Sequence, residues 1–353
     1  MRAVAETAGR QTLLIIADTA HGGLASAARA EAEWFSTRGW SVTIAAPGKI
    51  AAGGSVLFRH LGVPYRTRDV RGILRAVRQV RQLLRETRPS IVHAHGTKSL
   101  LVARLGGSSA YLTLHGLPWA QSTLGSSLRR TGVTTAGALA RRSFSVSPEL
   151  HDERWEFVAH ASPRLASLAH LAPPSSEHPL FLWIGALQDP KRPEMFIEAL
   201  TRAARLRPMR GIIAGSGPSE EATRNLVRRR GAPIDVMPYT EGVAGLYERS
   251  TAIVLTSASE GVPFVLEEAM WSGRAVIASD LPGTRWLLGD TGRLVRSESD
   301  LVRALVDFSS PETAASSGRD CGARVRRLLA PDAPWPATER AFVRDLSLDG
   351  TEP

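Results

Sequence analysis

The chain has 353 residues, 43% apolar and 22% charged, with a formal net charge of +10 and one cysteine. That length suits two domains, each able to bury a core; a lone cysteine excludes an intrachain disulfide framework or a cysteine zinc cluster and suits a reducing compartment. Apolar runs are of strand length, too short to cross a bilayer, and the first ten residues lack the apolar core of a signal peptide, so they read as a frayed tail on a cytoplasmic protein.

Residues 12–17, apolar and rich in β-branched side chains, read as a buried strand. The chain then passes Gly22 and Gly23 into a small-residue helix reaching Trp34 and Phe35. A glycine pair between strand and helix lets backbone approach a ligand closely, or simply makes a tight turn. A second strand follows at 41–45. Residues 66–88 predict a helix whose apolar stripe is Val70, Ile73, Leu74, Val77, Val80, Leu83 and Leu84. Arg71, Arg75, Arg78, Arg81 and Arg85 gather mostly on the other side. The first 170 residues hold half of the 44 Lys and Arg but fewer than a third of the 34 Asp and Glu, so an anionic partner is favoured there. The arginine face is either a solvated outer surface or a patch for anionic lipid headgroups, each basic residue adding about 1 kcal/mol near such a surface. No aromatic residues interleave with the arginines, which argues against nucleic acid.

Strand ends at 90–96 and 111–116 carry His93, His95 and His115. Three histidines raise zinc as a reading; it is set aside because no carboxylate companion accompanies them. Residues 142–149 read as the last strand of the first domain, and the stretch 169–179, rich in proline and polar residues, as a linker.

A strand at 181–186 opens the second half, with Lys191 and Arg192 in the loop after it and Pro193 starting a helix. Another strand at 211–214 runs into Gly215-Ser216-Gly217. Residues 252–256 are a buried strand, followed by a glycine-bearing loop, Pro263 as the first helical residue, Gly273 as the stop, and a further strand at 275–279. Strands alternating with helices through both halves predict parallel sheets in two Rossmann-like domains. Glu260 falls just before the helix and Glu268 one to two turns into it. A helix N-terminus suits phosphate, so carboxylates beside it make sense as acceptors from hydroxyls, as in dinucleotide sites. Spacing alone equally allows Glu260 to complement the helix dipole and Glu268 to be a solvated helix residue.

The run Glu260-Gly261-Val262-Pro263-Phe264-Val265-Leu266-Glu267-Glu268-Ala269-Met270 resembles the Glu-x7-Glu signature of family-4-type glycosyltransferases, and the order of segments extends the likeness over most of the chain. The resemblance implies an α/β protein of two Rossmann-like domains facing each other across a cleft, the GT-B fold. It divides the chain into an acceptor-side domain at 1–168, a linker at 169–179, a nucleotide-sugar-binding domain at 180–330 and a C-terminal helix at 331–353 returning to the first domain. The implied activity is retaining transfer of a sugar from a UDP- or GDP-linked donor to an acceptor hydroxyl, such as that of a cell-envelope lipid or polysaccharide precursor. Within it Glu260 orients the donor sugar, Glu268 holds the ribose, Lys191 neutralises the leaving diphosphate, and His115 serves the acceptor side. Gly22, Gly23, Arg192, Gly215, Tyr239, Gly261, Val262 and Pro263 fall at donor-binding positions.

The chain departs from the family pattern in places. Ala186 stands where an arginine is usual, with Arg192 as a partial substitute, and Pro282 and Trp286 replace a glycine and a glutamate of a later donor loop. Two other readings therefore stand beside transfer: a nucleotide-sugar 2-epimerase on the same fold, and a non-catalytic GT-B partner protein. The expected co-substrate is a nucleotide-diphosphate sugar, with no cofactor and no metal. Expected partners are an acceptor glycan, lipid or small molecule and an anionic membrane surface met by the helix at 71–88, placing the protein in the cytoplasm with peripheral contact at the inner face of the membrane.

Overall fold

The computed structural model describes residues 11–348 apart from 21, 51, 54, 64–68, 117–122, 151–152, 169–170, 172–177, 240–242 and 330–334, with backbone alone at 123–130 and 336. The expected frayed tail and most of the expected linker lie outside the described residues. The chain divides into two compact units, residues 1–160 with 332–353, and residues 161–331.

The first unit runs β1 (Thr12–Ala17), α1 (Gly22–Thr37), β2 (Ser41–Ala46), β3 (Leu57–His60), α2 (Val70–Thr87), β4 (Ile91–His95), α3 (Thr97–Leu105), β5 (Tyr111–Leu114), α4 (Thr123–Leu139), β6 (Ser143–Ser145) and β7 (Trp155–Phe157). Its seven parallel strands lie in the order β3-β2-β1-β4-β5-β6-β7. Alternation along β1 divides the core between two faces. Leu13, Ile15 and Ala17 pack with α1 through Ala28, Ala32 and Phe35, whereas Leu14 and Ile16 join Val77 and Val80 of α2 and Leu100 of α3.

The arginine-bearing helix begins later than its pattern predicts. Asp69 caps it, its Oδ1 accepting from Gly72 N at 2.9 Å, a standard way to satisfy a free N–H in the first turn. The predicted apolar stripe is only partly covered: Val77, Val80 and Leu83 are buried, but Val70 and Leu74 are 64% and 51% exposed beside the exposed Arg71, Arg75 and Arg78.

The second unit runs α5 (Leu165–Leu168), β8 (Leu180–Ile184), α6 (Pro193–Ala203), β9 (Arg210–Ala214), α7 (Glu220–Arg230), β10 (Ile234–Met237), α8 (Ala244–Arg249), β11 (Ala252–Leu255), α9 (Phe264–Trp271), β12 (Ala275–Ser279), α10 (Pro282–Leu288), β13 (Arg293–Val295), α11 (Glu298–Asp307) and α12 (Pro311–Leu328). Six parallel strands are ordered β10-β9-β8-β11-β12-β13, the same winding as the first sheet, with the direction of progression reversing between β8 and β11. Phe181, Trp183, Phe196, Ile213, Val254 and Ile277 anchor its core.

Residues 161–168, grouped by sequence with the first half, belong to the second unit because Ser162 and Arg164 hydrogen-bond to α9. The last helix, α13 (Trp335–Leu348), returns to the first unit. There Phe342 stacks on Phe35 at 5.5 Å, and Asp345 Oδ2 accepts from the buried Tyr111 hydroxyl at 2.7 Å.

Candidate active site

In a doubly wound sheet, the strands on either side of the reversal splay their following loops apart, and ligands sit beyond their carboxyl ends. In the second unit those strands are β8 and β11. The loop after β8 delivers Lys191 and the loop after β11 delivers Ser257 to Val262. Lys191 Nζ donates to Glu260 Oε1 at 2.6 Å, and Ser257 Oγ donates to the same oxygen, also at 2.6 Å. The sequence-predicted acid and base thus form one ion pair at the sheet's switch point.

The two loops are cross-braced. Arg192, in the left-handed region at φ 50°, caps α6. Its guanidinium donates to Thr256 O at 2.8 Å and Ser257 O at 3.3 Å, while Thr256 Oγ1 donates back to Arg192 O at 2.7 Å. Ala258 N adds a bond to Pro190 O at 2.8 Å. Arg192 therefore holds the Glu260 loop, and does so with the guanidinium expected to replace the arginine missing at Ala186.

Pro263 is not the first helical residue. It is the extended cap at φ −83° and ψ 122°, and its carbonyl accepts from Leu266 N at 3.0 Å, so α9 starts at Phe264. Gly261, Val262 and Pro263 are buried. Backbone meets backbone here: a Cβ on Gly283, in the first turn of α10, would lie 1.8 Å from Gly261 O. Gly215 plays the same part between β8 and β9, where a Cβ would lie 2.1 Å from Gly185 O.

Glu268 is 2% exposed, which removes the solvated-helix alternative. Its oxygens accept from Ser162 Oγ at 2.5 Å, Tyr247 OH at 2.8 Å and Arg164 Nη1 at 3.1 and 3.3 Å. Arg164 also donates to the hydroxyl of the exposed Tyr239, whose ring lies 5.5 Å from the guanidinium carbon. Burial, and then the Glu268 charge, push the Tyr247 hydroxyl well above its ordinary value, so it stays a donor. The neighbouring Glu267 is also buried; Oε2 accepts from Ser162 N at 2.8 Å and Oε1 has no partner among the described residues. Burial raises its carboxyl well above the usual range, against the pull of the Ser162 bond.

The first unit has its reversal between β1 and β4. Gly22 and Gly23 open α1 just beyond β1 and are exposed. At the ends of β4 and β5 the three histidines converge, and the companion carboxylate that sequence spacing did not reveal comes from α1. Glu31 Oε1 pairs with His93 Nδ1 and Oε2 with His95 Nε2, each at 2.6 Å. His95 Nδ1 pairs with His115 Nε2 at 2.8 Å, and His93 Nε2 with Thr113 Oγ1 at 2.8 Å. His115 lies edge-on to His160, ring centroids 5.1 Å apart. Burial would raise the Glu31 carboxyl, but His93 and His95 hold it at about 2. Burial lowers His95, brings His115 well below its ordinary value, and brings His160 to about 3.

Two family models match the chain: "Glycosyl transferase 4-like domain" over residues 22–165 and "Glycosyl transferases group 1" over residues 178–310. The chain belongs to the group 1, family-4-like glycosyltransferases. It is similar to a Campylobacter jejuni GalNAc-alpha-(1->4)-GalNAc-alpha-(1->3)-diNAcBac-PP-undecaprenol alpha-1,4-N-acetyl-D-galactosaminyltransferase, 30% identical over 130 residues; the match spans 35% of this chain and 36% of that protein. The fold is that of a sucrose-phosphate synthase from Thermosynechococcus elongatus (TM-score 0.79, 18% identity, 96% and 100% of the two chains covered). Anabaena Alr3699/HepE in complex with UDP and glucose shares it (TM-score 0.74, 15% identity, 96% and 100% covered). This family member therefore has the GT-B fold of two parallel Rossmann-like sheets.

Motif reasoning missed Ser162, Arg164, Tyr247 and Glu31. The first three reach Glu268 from 106, 104 and 21 residues away, so no local spacing could reveal them. Glu31 carried one signal: a charged residue on the alanine-lined buried face of α1.

Proposed function

We propose that the protein is a retaining glycosyltransferase that moves a sugar from a UDP-linked donor to an acceptor hydroxyl on a lipid-linked or related cell-envelope glycan. The observation that carries this reading is the Lys191–Glu260 pair at the β8/β11 switch point, with Glu268 eight residues on in α9. A diphosphate entering this site competes for Lys191 and frees Glu260 to accept from the sugar's hydroxyls. Charge developing on the departing nucleotide is met by Lys191 and by backbone N–H groups, and such preorganised groups favour the transition state over the bound substrate. Displacement on the face from which the diphosphate leaves retains configuration, with a phosphate oxygen taking the acceptor proton. Glu268 holds the ribose, for which it must exchange Ser162 and Arg164, and His115 reads the acceptor side.

The UDP preference draws on the HepE complexes with UDP and with UDP-glucose, and the lipid-linked acceptor on the undecaprenol-linked substrate in the relative's name. The exposed Val70, Leu74 and arginines of α2 suit an anionic membrane carrying such an acceptor. The test is a nucleotide-sugar panel with UDP- and GDP-linked donors, read by nucleotide release and by the anomeric configuration of the product. Lys191→Ala and Glu260→Ala should each lower kcat by about 100-fold or more and leave the fold intact. Turnover like the wild type in both variants rejects transfer at this site. An epimerised donor formed without acceptor would favour the epimerase, and no binding of UDP or GDP would favour the non-catalytic partner.

A further inference from the structure

Behind His115 lies a chain of buried polar groups that sugar transfer as proposed above does not use. Glu31 replaces what would otherwise be an apolar residue among Ala27, Ala28, Ala32 and Phe35 on the buried face of α1. A buried charge is weak evidence for stability, since a well-packed apolar side chain often does as well or better. Its place is explained instead by what it does to hydrogen positions. An ionised carboxylate can only accept, so His93 Nδ1 and His95 Nε2 both donate to Glu31 across 2.6 Å. A neutral His95 then has a bare Nδ1, which accepts from His115 Nε2 across 2.8 Å. A neutral His115 is left with a bare Nδ1, and that atom has no hydrogen-bond partner among the described residues.

We propose that Glu31, acting through His95, is a positioning residue that locks His115 in the tautomer whose Nδ1 accepts a hydrogen bond from a sugar hydroxyl. The role rests on the transferase reading; the proton order does not. Glu31 and His95 are fully buried, so no water is on hand to reset the order of donors and acceptors. The titratable groups facing the relay are Glu31 from α1, His93 and His95 from β4, His115 after β5 and His160 after β7, with α13 contributing the uncharged Trp335 against His160 at 4.8 Å. Burial keeps the outer rings of this group uncharged near neutral pH, so His115 offers a lone pair and selects a hydroxyl over an anion. A cation is the rival occupant, because Glu31, His93 and His95 offer ligand atoms within 4.8 Å of one another. Each of those atoms is already paired in a hydrogen bond that an ion would have to break.

The test uses the full chain labelled with 15N at histidine and long-range 1H–15N spectra from about pH 5 to 8, where an ordinary histidine changes charge. The wild type should show His115 uncharged throughout, with its proton on Nε2. His95→Phe keeps the stacked ring 5.0 Å from His115 but removes the acceptor, so both His115 tautomers should appear. Glu31→Leu fits the apolar face of α1 and should also release the bias, which keeps the test open should one variant not fold. In either variant kcat for transfer from the UDP-sugar chosen by the panel should fall about 10- to 100-fold, with calorimetric affinity for UDP unchanged. A wild-type His115 that is cationic or protonated on Nδ1 overturns the proposal. So do variants with unchanged tautomer and kcat, or stoichiometric zinc whose removal by a chelator abolishes transfer. If Lys191→Ala and Glu260→Ala transfer sugar normally, the transferase reading fails and takes the hydroxyl-reading role with it, while the spectra still report the proton order.

Discussion

Replacing Glu268 by alanine in the absence of donor strands three groups built around one carboxylate. Tyr247 OH and Ser162 Oγ lose acceptors at 2.8 and 2.5 Å, and Arg164 loses its partner at 3.1 Å. Hydrogen bonds to a charged group contribute about 1.5–3 kcal/mol each, and removing one member of a buried ion pair costs about 3–5 kcal/mol. These figures overlap and do not add. The Arg164 side chain is 31% exposed, so solvent screening returns part of its share, whereas the Tyr247 hydroxyl is buried and regains nothing from water. The expected loss is about 3–5 kcal/mol in the second unit. At about 2–4 °C per kcal/mol for a unit of this size, the ligand-free melting temperature should fall by roughly 6–20 °C. The assay is a thermal melt paired with a urea titration at neutral pH, with Glu268→Gln as the control that retains an acceptor and should recover part of the loss. A Glu268→Ala protein melting within about 2 °C of the wild type would refute the reasoning.

Glu267 gives a pH dependence of definite sign. Its folded pKa is raised above 4.5, so its contribution is fully present below about 4.5 and is lost as pH rises through the folded value. Glu267→Gln should therefore be more stable than the wild type by about 1–3 kcal/mol at pH 8 and similar to it at pH 4; urea midpoints at the two pH values decide, and a less stable variant at pH 8 rejects the assignment. The first unit behaves oppositely. Stability linked to the depressed His95, His115 and His160 is present above about 6.5 and lost as pH falls below it, and that linked to Glu31 is lost between about 4.5 and about 2. Amide exchange in β1 and β4 should accordingly quicken, relative to the intrinsic rate, as pH drops from 7 to 4; protection that stays level contradicts this. For α2, binding to vesicles containing anionic lipid should weaken at least tenfold when Arg71, Arg75 and Arg78 are replaced by glutamate, and a sedimentation assay showing equal binding would return that face to plain solvent.

Much of this was legible in the sequence because a buried parallel strand writes itself as a short apolar run. β8, β11 and β12 fall where the runs at 181–186, 252–256 and 275–279 predict them, and the two-sheet architecture follows from their alternation with helices. Lys191 and Glu260 were legible for a related reason: each lies a few residues past a strand end, and parallel topology brings such ends together. The cap at Pro263 was missed by one residue because proline's φ suits both the extended cap and the first helical position; only ψ separates them. Val70 and Leu74 follow the helical period and yet face solvent, since periodicity reports which side a residue is on and not whether anything covers it. Glu31 showed only as a charge on an alanine-lined helix face; its histidine partners were illegible, because α1 and β4 meet through the sheet and not along the chain.

The close approach of Gly283 to Gly261 limits how the two segments that carry them can vary. With Gly261 O 1.8 Å from where any side chain at 283 would begin, a substitution there must drive the start of α10 away from the loop bearing Glu260. The two segments are mated surfaces, and a change of shape in one is inherited by the other. Variation in this part of the second unit is then left to side chains at the edges of the two segments, and homologues that alter residue 283 should be found to have rebuilt both segments at once.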